Sequence, residues 1–334
     1  MKKIVKAREF SSFLFLIALF LIVGIINPSF LSADNLTACF NESVVYIIVS
    51  AGMAFAIFIG EIDVSVGANL GFTATVVSCM LRDGESWALA FAAGIAVGAL
   101  IGLFNGWGVA VMGVPSLIFT LGTNGVMRGM MYVYTGGAWV ENLPAAFKQL
   151  YTTTLVGSLS ICFAVTAVLI LLIHLVLRNT KRGKYFIAVG DNPSGATLVG
   201  IPATQTKVAA YVICGILAAI AGIVFSSRIG FVTATSGNGY EMKAVAACVL
   251  GGISLSGGVG SVIGSSIGAV IMASISRLLV FMGFGSTYDN AITGIMLIVI
   301  VVADALMQRR AAEQNRRQRL AARTAAHEKG GAAS

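Results

Sequence analysis

The sequence predicts an all-α protein that crosses a membrane many times. Of its 334 residues, 57% are hydrophobic and 11% are charged, whereas soluble domains are about half apolar and a quarter charged. The apolar residues form long unbroken runs such as 13–26 and 292–302, whereas strands of a membrane barrel alternate in polarity over about ten residues. These observations favour helices and exclude a soluble globular protein. They also exclude intrinsic disorder, which requires low hydrophobicity.

The number of crossings follows from how the apolar residues are grouped. A spanning helix uses roughly 20 mostly apolar residues, which limits this chain to about nine or ten crossings. In chain order, the predicted crossings are 11–29, 40–60, 64–82, 88–107, 115–135, 153–177, 205–227, 241–256, 259–283 and 289–308. Residues 136–152 are expected outside the membrane, because Trp139 and Tyr151 suit the lipid–water interface.

Positive charge predicts the orientation. Of the 22 basic residues, 16 lie in the N-terminal segment 1–10, around the central loop 178–206, and in the tail 309–334. Cytoplasmic segments of membrane proteins are enriched in Lys and Arg, so all three are expected to be cytoplasmic. Both termini then lie inside, and the number of crossings must be even, as ten is. We therefore expect one transmembrane domain, 11–308, between two basic cytoplasmic ends.

The first apolar run is interpreted as a retained helix. A cleaved signal peptide would also begin with positive charge, but it has a shorter core followed by a small-residue cleavage site. No such site follows Asn27 and Pro28.

The central loop is predicted to form a short polar helix between Gly190 and Gly200. Asp191 or Asn192 can cap it, and Pro193 suits its first position because no N–H is needed there. Gly200 can end it. Two turns of this polarity cannot cross a membrane, so the helix is either a docking element for another protein or a plain connector.

Several polar residues lie close to or within the apolar runs. Glu61 and Asp63 have no basic neighbour in sequence, and acids inside a membrane are costly and usually functional. A short surface loop with both carboxylates solvated is equally compatible with the sequence. The remaining residues of this kind are Glu42, Asn105, Thr120, Asn124, Arg128, Glu241, Lys243 and Arg277. Taken singly, each is interpreted as a structural group that bonds across helices.

Glycines mark helix packing and an internal similarity. Gly94, Gly98 and Gly102 recur every four residues, which lets helix backbones approach closely; we favour packing within the chain over a dimer face.

Residues 60–67 and 251–258 match at four of eight positions. Internal repeats of this kind are common in transporter folds, although a glycine-rich chain also produces such matches by chance.

Two catalytic signatures are missing from the sequence. It contains no GxxxxGK[ST] phosphate loop and no HExxH, and it has two histidines. Because those motifs supply phosphate binding and zinc respectively, we expect no ATP hydrolysis by such a loop, no enzymatic activity and no cofactor or metal.

A family resemblance rests on five motifs in order. Residues 60–67, 115–122, 128–137, 188–193 and 249–258 resemble the membrane permeases of ribose-type sugar ABC importers, and the similarity extends over about residues 10–307. Within that family, residues 136–150 and 241–252 are most similar to autoinducer-2 importer permeases. Close relatives serve rhamnose, ribose and xylose, so the individual solute stays open.

The resemblance implies a multi-pass subunit of the bacterial inner membrane. Its partners would be a second permease subunit (identical or paralogous), two cytoplasmic ABC ATPase subunits that hydrolyse the ATP, and a periplasmic solute-binding protein. Nucleic acid is not expected as a partner. The ATPase-coupling helix would contain Gly190, Asp191, Asn192, Pro193, Ser194, Gly195, Ala196, Thr197 and Gly200.

The translocation pathway of such an importer needs only a few hydrogen-bonding groups, because the solute is a small neutral sugar or sugar-like molecule. The candidates are Asp63, Asn105, Thr120 and Asn124. Two other functions stay open: a branched-chain amino-acid ABC permease, and a secondary transporter that works without an ATPase. A membrane-embedded enzyme is a more distant alternative.

Overall fold

The computed structural model describes residues 2–283, 288–289, 291–299, 301–302 and 305–306. Its helices are α1 (Lys2–Ile26), α2 (Ala33–Phe58), α3 (Val66–Arg82), α4 (Trp87–Gly106), α5 (Ser116–Thr135), α6 (Ala145–Thr152), α7 (Ile161–Asn179), α8 (Lys181–Asp191), α9 (Pro193–Leu198), α10 (Ala203–Ile229), α11 (Tyr240–Leu250) and α12 (Val262–Phe281). A 3-10 turn (Pro28–Leu31) follows α1, and a π-helical turn (Trp107–Val111) extends α4. Strands β1 (Thr154–Val156) and β2 (Leu159–Ser160) form an antiparallel hairpin before α7. Residues 291–299 are also helical.

The predicted all-α class is confirmed, and each of the first nine predicted crossings contains a helix. By length and composition, five helical segments among the described residues can cross a membrane: Ala33–Phe58, Trp87–Val111, Ile161–Asn179, Ala203–Ile229 and Val262–Phe281. Within α1, a shorter apolar helical stretch spans Glu9–Ile25. The tenth crossing, 289–308, is described only in part, and the tail 309–334 lies outside the described residues.

Several elements differ from the prediction. The first two helices begin earlier than their predicted crossings, at Lys2 rather than residue 11 and at Ala33 rather than residue 40. The sixth crossing begins at residue 161 rather than 153, because the β1–β2 hairpin occupies the residues before it. The eighth, α11, ends at Leu250 rather than at residue 256. Gly251 caps the helix there, and Gly252 has a left-handed φ of +82°. Residues 181–191 of the central loop form α8, which the sequence analysis missed.

Hydroxyl and amide side chains begin many of the helices. Ser32, Ser86, Ser160, Thr180 and Ser261 each accept a hydrogen bond from a first-turn backbone N–H of the helix that follows. Such caps satisfy donors that the helix itself leaves unpaired. The chain therefore specifies these helix starts locally.

Helix α10 lies at the centre and packs against α2, α3 and α4. Its backbone approaches that of α4 closely at two glycines. A methyl group on Gly98 would lie 2.6 Å from the Gly215 carbonyl oxygen, and one on Gly102 would overlap the Tyr211 carbonyl. The predicted use of the α4 glycines for packing within the chain is confirmed, since close backbone approach is what small residues allow.

The outer surface is apolar. Ile118 and Val133 on α5 are 68% and 84% exposed, and Leu100 on α4 and Val165 on α7 are more than half exposed. Apolar surface on this scale is unusual for a soluble monomer and is what a helix bundle presents to lipid.

Candidate functional site

The connection between α2 and α3 is a non-helical segment that holds a buried carboxylate. Asp63 is 1% exposed, and its Oδ1 accepts hydrogen bonds from the backbone N (2.9 Å) and Oγ (2.6 Å) of Ser65. The Nδ2 of Asn105, on α4, donates to Ser65 Oγ at 2.7 Å and to Asp63 Oδ1 at 3.3 Å. Because buried polar groups need such partners in place of water, this arrangement differs from the solvated surface loop that the sequence allowed for Asp63.

Helix α5 holds the same segment through two side chains one turn apart. The Oγ1 of Thr120 accepts a hydrogen bond from the backbone N of Val64 at 3.0 Å. The Nδ2 of Asn124 donates to the backbone O of Val64 at 3.1 Å. The structure therefore brings all four pathway candidates together around residues 63–65, although they are up to 61 positions apart in sequence.

A second non-helical segment, 230–239, follows α10 and lies against α3. A methyl group on Gly67 would lie 2.6 Å from the Gly237 carbonyl oxygen, and one on Gly71 would overlap the Ser236 carbonyl. Arg128, one turn beyond Asn124 on α5, donates from Nη1 to Ser236 O at 2.5 Å. One face of α5 thus bonds to the backbone of both irregular segments.

The sequence analysis missed this second segment. It took Arg128 as a structural group and did not single out residues 230–239. The available signal was the Gly237-Asn-Gly239 sequence, because closely spaced glycines favour turns over helix, together with Gly230, which ends α10 in a left-handed conformation.

Several polar atoms near these two segments are buried without a hydrogen-bond partner among the described residues. They are Asn105 Oδ1, Arg128 Nη2, Tyr211 Oη and Glu241 Oε2. Glu241 also lies close enough to Arg128 to interact with it electrostatically, yet the two form no ion pair in the described part of the chain. Unsatisfied buried donors and acceptors are rare in native proteins, so these atoms are the groups of this region with hydrogen-bonding capacity left unused.

Glu61, two residues before Asp63, gains a basic partner from a distant helix. Lys207 on α10 donates from Nζ to Glu61 Oε1 at 2.6 Å, and the two side chains are 23% and 19% exposed respectively. The sequence showed no basic neighbour because this partner is 146 residues away. The ion pair anchors the start of the α2–α3 connection to α10.

The central loop folds as two helices, α8 and α9, joined at Asn192. Asn192 Oδ1 accepts from Gly195 N at 2.9 Å, and Pro193 occupies the first turn of α9. The predicted cap, proline position and glycine stop are confirmed in α9 itself, with Gly200 at φ +80°. Asp191, however, is the last residue of α8 rather than part of the shorter helix.

The tip of α9 is apolar and exposed. Leu198 is 88% exposed and Val199 is 76% exposed. Of the predicted docking residues, Ala196 is buried, whereas Asp191, Asn192, Pro193, Ser194, Thr197 and Gly200 are exposed. The sequence analysis did not include Leu198 and Val199, because apolar residues in a chain this hydrophobic do not stand out until their exposure is known.

The remaining polar residues of the apolar runs bond to one another. Lys243 on α11 bonds to Asp289 and, at 3.3 Å, to the Oη of Tyr46. Arg277 on α12 donates to Glu42 Oε1 at 2.6 Å. Paired in this way, they connect α2 with α11, α12 and residue 289, which fits the structural role predicted for them.

A metal centre is not visible among the described residues. They include no group of three or more His, Cys, Asp or Glu side chains that could hold a metal ion.

Comparison with protein families identifies the family of this chain. Residues 35–301 match the family model described as a branched-chain amino acid transport system / permease component, which is most of the chain. The protein belongs to this permease family. As a permease, it is a multi-pass membrane protein and a transport component rather than an enzyme, and the two irregular segments lie inside the region that defines the family.

Similar permeases are known in several bacteria. The autoinducer 2 import system permease protein LsrC of Enterobacter sp. (strain 638) is 41% identical over 89% of this chain and 87% of its own length. The proteins of the same name from Salmonella typhi and Escherichia coli (strain K12 / DH10B) are 39% and 38% identical, and each match covers 89% of this chain. No solved structure matched the permease.

Proposed function

We propose that this permease is the membrane subunit of an ATP-driven ABC importer for autoinducer 2 or a closely similar sugar-like solute. The observation that carries the proposal is the 38–41% identity, over 89% of the chain, to permeases named for autoinducer 2 import. The ribose-type motifs of the sequence support the same class.

The α2–α3 connection is the proposed solute pathway. Its candidates Asp63, Asn105, Thr120 and Asn124 supply hydrogen-bond donors and acceptors around one backbone segment. In membrane transporters, irregular backbone at membrane depth occurs where it is buried in protein or lines a path, and substrate sites lie at such interruptions. A neutral polyol needs hydrogen-bonding groups rather than a matching charge, which fits this set.

The partners follow from the permease class. We propose that α9 docks on a cytoplasmic ATPase subunit, with the exposed Leu198 and Val199 entering an apolar groove on it, and that a second permease subunit, identical or paralogous, completes the pathway. A periplasmic binding protein would deliver the solute, and the assembly would reside in the bacterial inner membrane.

The proposed orientation places residues 1–10, the loop 178–206 and the tail 309–334 in the cytoplasm. Labelling with a membrane-impermeant thiol reagent tests it: Ser194→Cys should react in inverted vesicles and be protected in intact cells. The control background is Cys162→Ser, because the other four cysteines are buried. Labelling of Ser194→Cys from outside would contradict the orientation and the ATPase contact.

Uptake into proteoliposomes tests the function. The permease is reconstituted with its ATPase and binding-protein partners, and uptake of labelled autoinducer 2 is measured with ATP and with a non-hydrolysable analogue. We expect uptake only with ATP, and competition by ribose or rhamnose but not by leucine.

A branched-chain amino-acid permease is the second candidate, favoured by the description of the family model. Inhibition by leucine alone would select it. Uptake by the permease without an ATPase would instead select a secondary transporter.

A further inference from the structure

Three sequence motifs far apart in the chain meet backbone to backbone at one point. They are the end of α2 (Phe58 and Gly60), the last turn of α8 (Gly190 and Asp191) and the loop after α11 (Gly257 and Gly258); we refer to their meeting point as the glycine junction. The N of Gly258 donates to the Phe58 carbonyl oxygen at 3.0 Å. The two segments with internal similarity, 60–67 and 251–258, also contact each other here, because a methyl group on Gly257 would lie 2.8 Å from Gly60 N.

The glycine junction has no room for a side chain. A methyl group on Gly190 would overlap the Phe58 carbonyl and lie 2.7 Å from Gly258 N. One on Gly258 would lie 2.7 Å from the Asp191 Cα, and one on Gly257 would lie 2.8 Å from Gly60 N. All of these neighbours are main-chain atoms, which cannot move aside as the end of a flexible side chain can.

Gly190 is the most informative of these positions. It lies in the helical α8, whereas Gly60, Gly257 and Gly258 have φ values between +73° and +82°, where any side chain is strained regardless of space. An alanine at 190 is therefore compatible with the local backbone conformation, and its effect reports the contact between the segments.

Each arm of the glycine junction leads to a part of the proposed transport machinery. Beyond Gly190, α8 continues through the Asn192 cap into α9 and its exposed tip. Beyond Gly60, the chain passes Glu61, which is fixed to Lys207, and reaches Asp63 within three residues. A push on α9 that moves the end of α8 must displace the end of α2, because close-packed main chain transmits displacement instead of absorbing it.

We propose that the glycine junction is the transmission point of the importer, and that Gly190 is a positioning residue that converts movement of α9 into movement of the α2–α3 connection. This inference rests on the proposed function. It separates two roles in the central loop: Leu198 and Val199 bind the ATPase, whereas Gly190 passes the displacement on. Binding of the ATPase should survive the loss of the second role.

The test measures coupling rather than activity alone. The complete importer, with ATPase subunits and binding protein, is reconstituted in proteoliposomes with Gly190→Ala, and both solute uptake and phosphate release are measured. We expect the variant to retain its ATPase subunits while the ATP hydrolysed per solute rises roughly two- to thirty-fold, the range by which residues between coupled sites alter coupling. A purely structural defect would lower both rates together and leave this ratio unchanged.

Gly294→Ala is the matched control. Gly294 is also helical, and nothing described lies within 4 Å of a methyl group added there. Its ratio of ATP to solute should equal that of the wild type.

A second variant covers the case in which Gly190→Ala does not assemble. Asp191→Gly adds no atom to the glycine junction but loosens the last residue of α8, so α9 can move without moving Gly190. It should also raise the ratio of ATP to solute.

An unchanged ratio in an assembled Gly190→Ala complex would overturn the inference, as would an unchanged ratio in Asp191→Gly if the first variant fails to assemble. If the wild-type complex itself shows no ATP-dependent uptake, the proposed function fails and the inference fails with it. If the wild-type complex takes up solute with ATP and the variants show the wild-type ratio of ATP to solute, only the proposed role of the glycine junction is rejected and the proposed function stands.

Discussion

The ion pair between Glu61 and Lys207 offers a quantitative test of how the α2–α3 connection is anchored. The two side chains are about one-fifth exposed and their charged atoms are 2.6 Å apart. Exposed ion pairs contribute about 0–1 kcal/mol, whereas breaking a buried pair costs about 3–5 kcal/mol. Since this pair lies between those limits, we expect the single variants Glu61→Gln and Lys207→Met each to destabilise the permease by about 1–2 kcal/mol.

Thermal unfolding of the detergent-solubilised permease measures this effect. Four cysteines, Cys39, Cys79, Cys214 and Cys248, are buried, so a thiol-reactive dye reports loss of the fold. Each single variant should lower the melting temperature by roughly 2–8 °C. The double variant should cost clearly less than the sum of the two, because two directly contacting residues show a coupling energy of about 0.5–3 kcal/mol. Additive single effects would refute the ion pair as an anchor.

Three further predictions test other contacts. Gly67→Ala should destabilise the permease by about 1–3 kcal/mol in the same assay, because its methyl group would overlap the Glu241 carboxylate. The control Gly129→Ala, where nothing lies within 4 Å of the added methyl group, should leave the melting temperature unchanged; equal melting temperatures for the two variants would contradict the predicted overlap at Gly67. Asn105→Leu removes donors to Asp63 and Ser65, and it should cost about 1–3 kcal/mol and abolish autoinducer 2 uptake; full uptake would remove Asn105 from the pathway. Leu198→Asp should change stability by less than about 0.5 kcal/mol, because the side chain is exposed, while co-purification of the ATPase subunit is lost; normal co-purification would exclude this docking surface.

The helices of the fold were predictable because they depend on neighbours in sequence. Apolar runs place the first nine crossings, and the α9 features at Asn192, Pro193 and Gly200 act within a few residues of one another. Prediction failed at two helices. The helix α8 was missed because its segment is too polar for a membrane crossing. The end of α11 was placed too late because Gly251 and Gly252 end the helix before its apolar run ends.

The candidate site was predictable only as a set of residue types. Polar residues within apolar runs identified Asp63, Asn105, Thr120 and Asn124, and the fold brings these four together. Arg128, of the same type, was assigned a structural role, and its bond to Ser236 O fits that role. The identity of its partner could not be predicted, because it depends on the path of segment 230–239. Residue type indicates what a side chain can bond to, and the packing of α5 against α3 decides which partner it meets.

By itself, the sequence determined the helical class, the order of the helices, most of their ends and the family, since each depends on composition, short motifs or similarity along the chain. Only the tertiary structure decided that Glu61 pairs with Lys207, that α9 presents Leu198 to its surroundings and that Gly60, Gly190 and Gly257 share one contact. The physical reason is range: helix propensity and capping act over a few residues. Ion pairs and backbone contacts between distant segments form where helix packing brings their atoms within bonding distance.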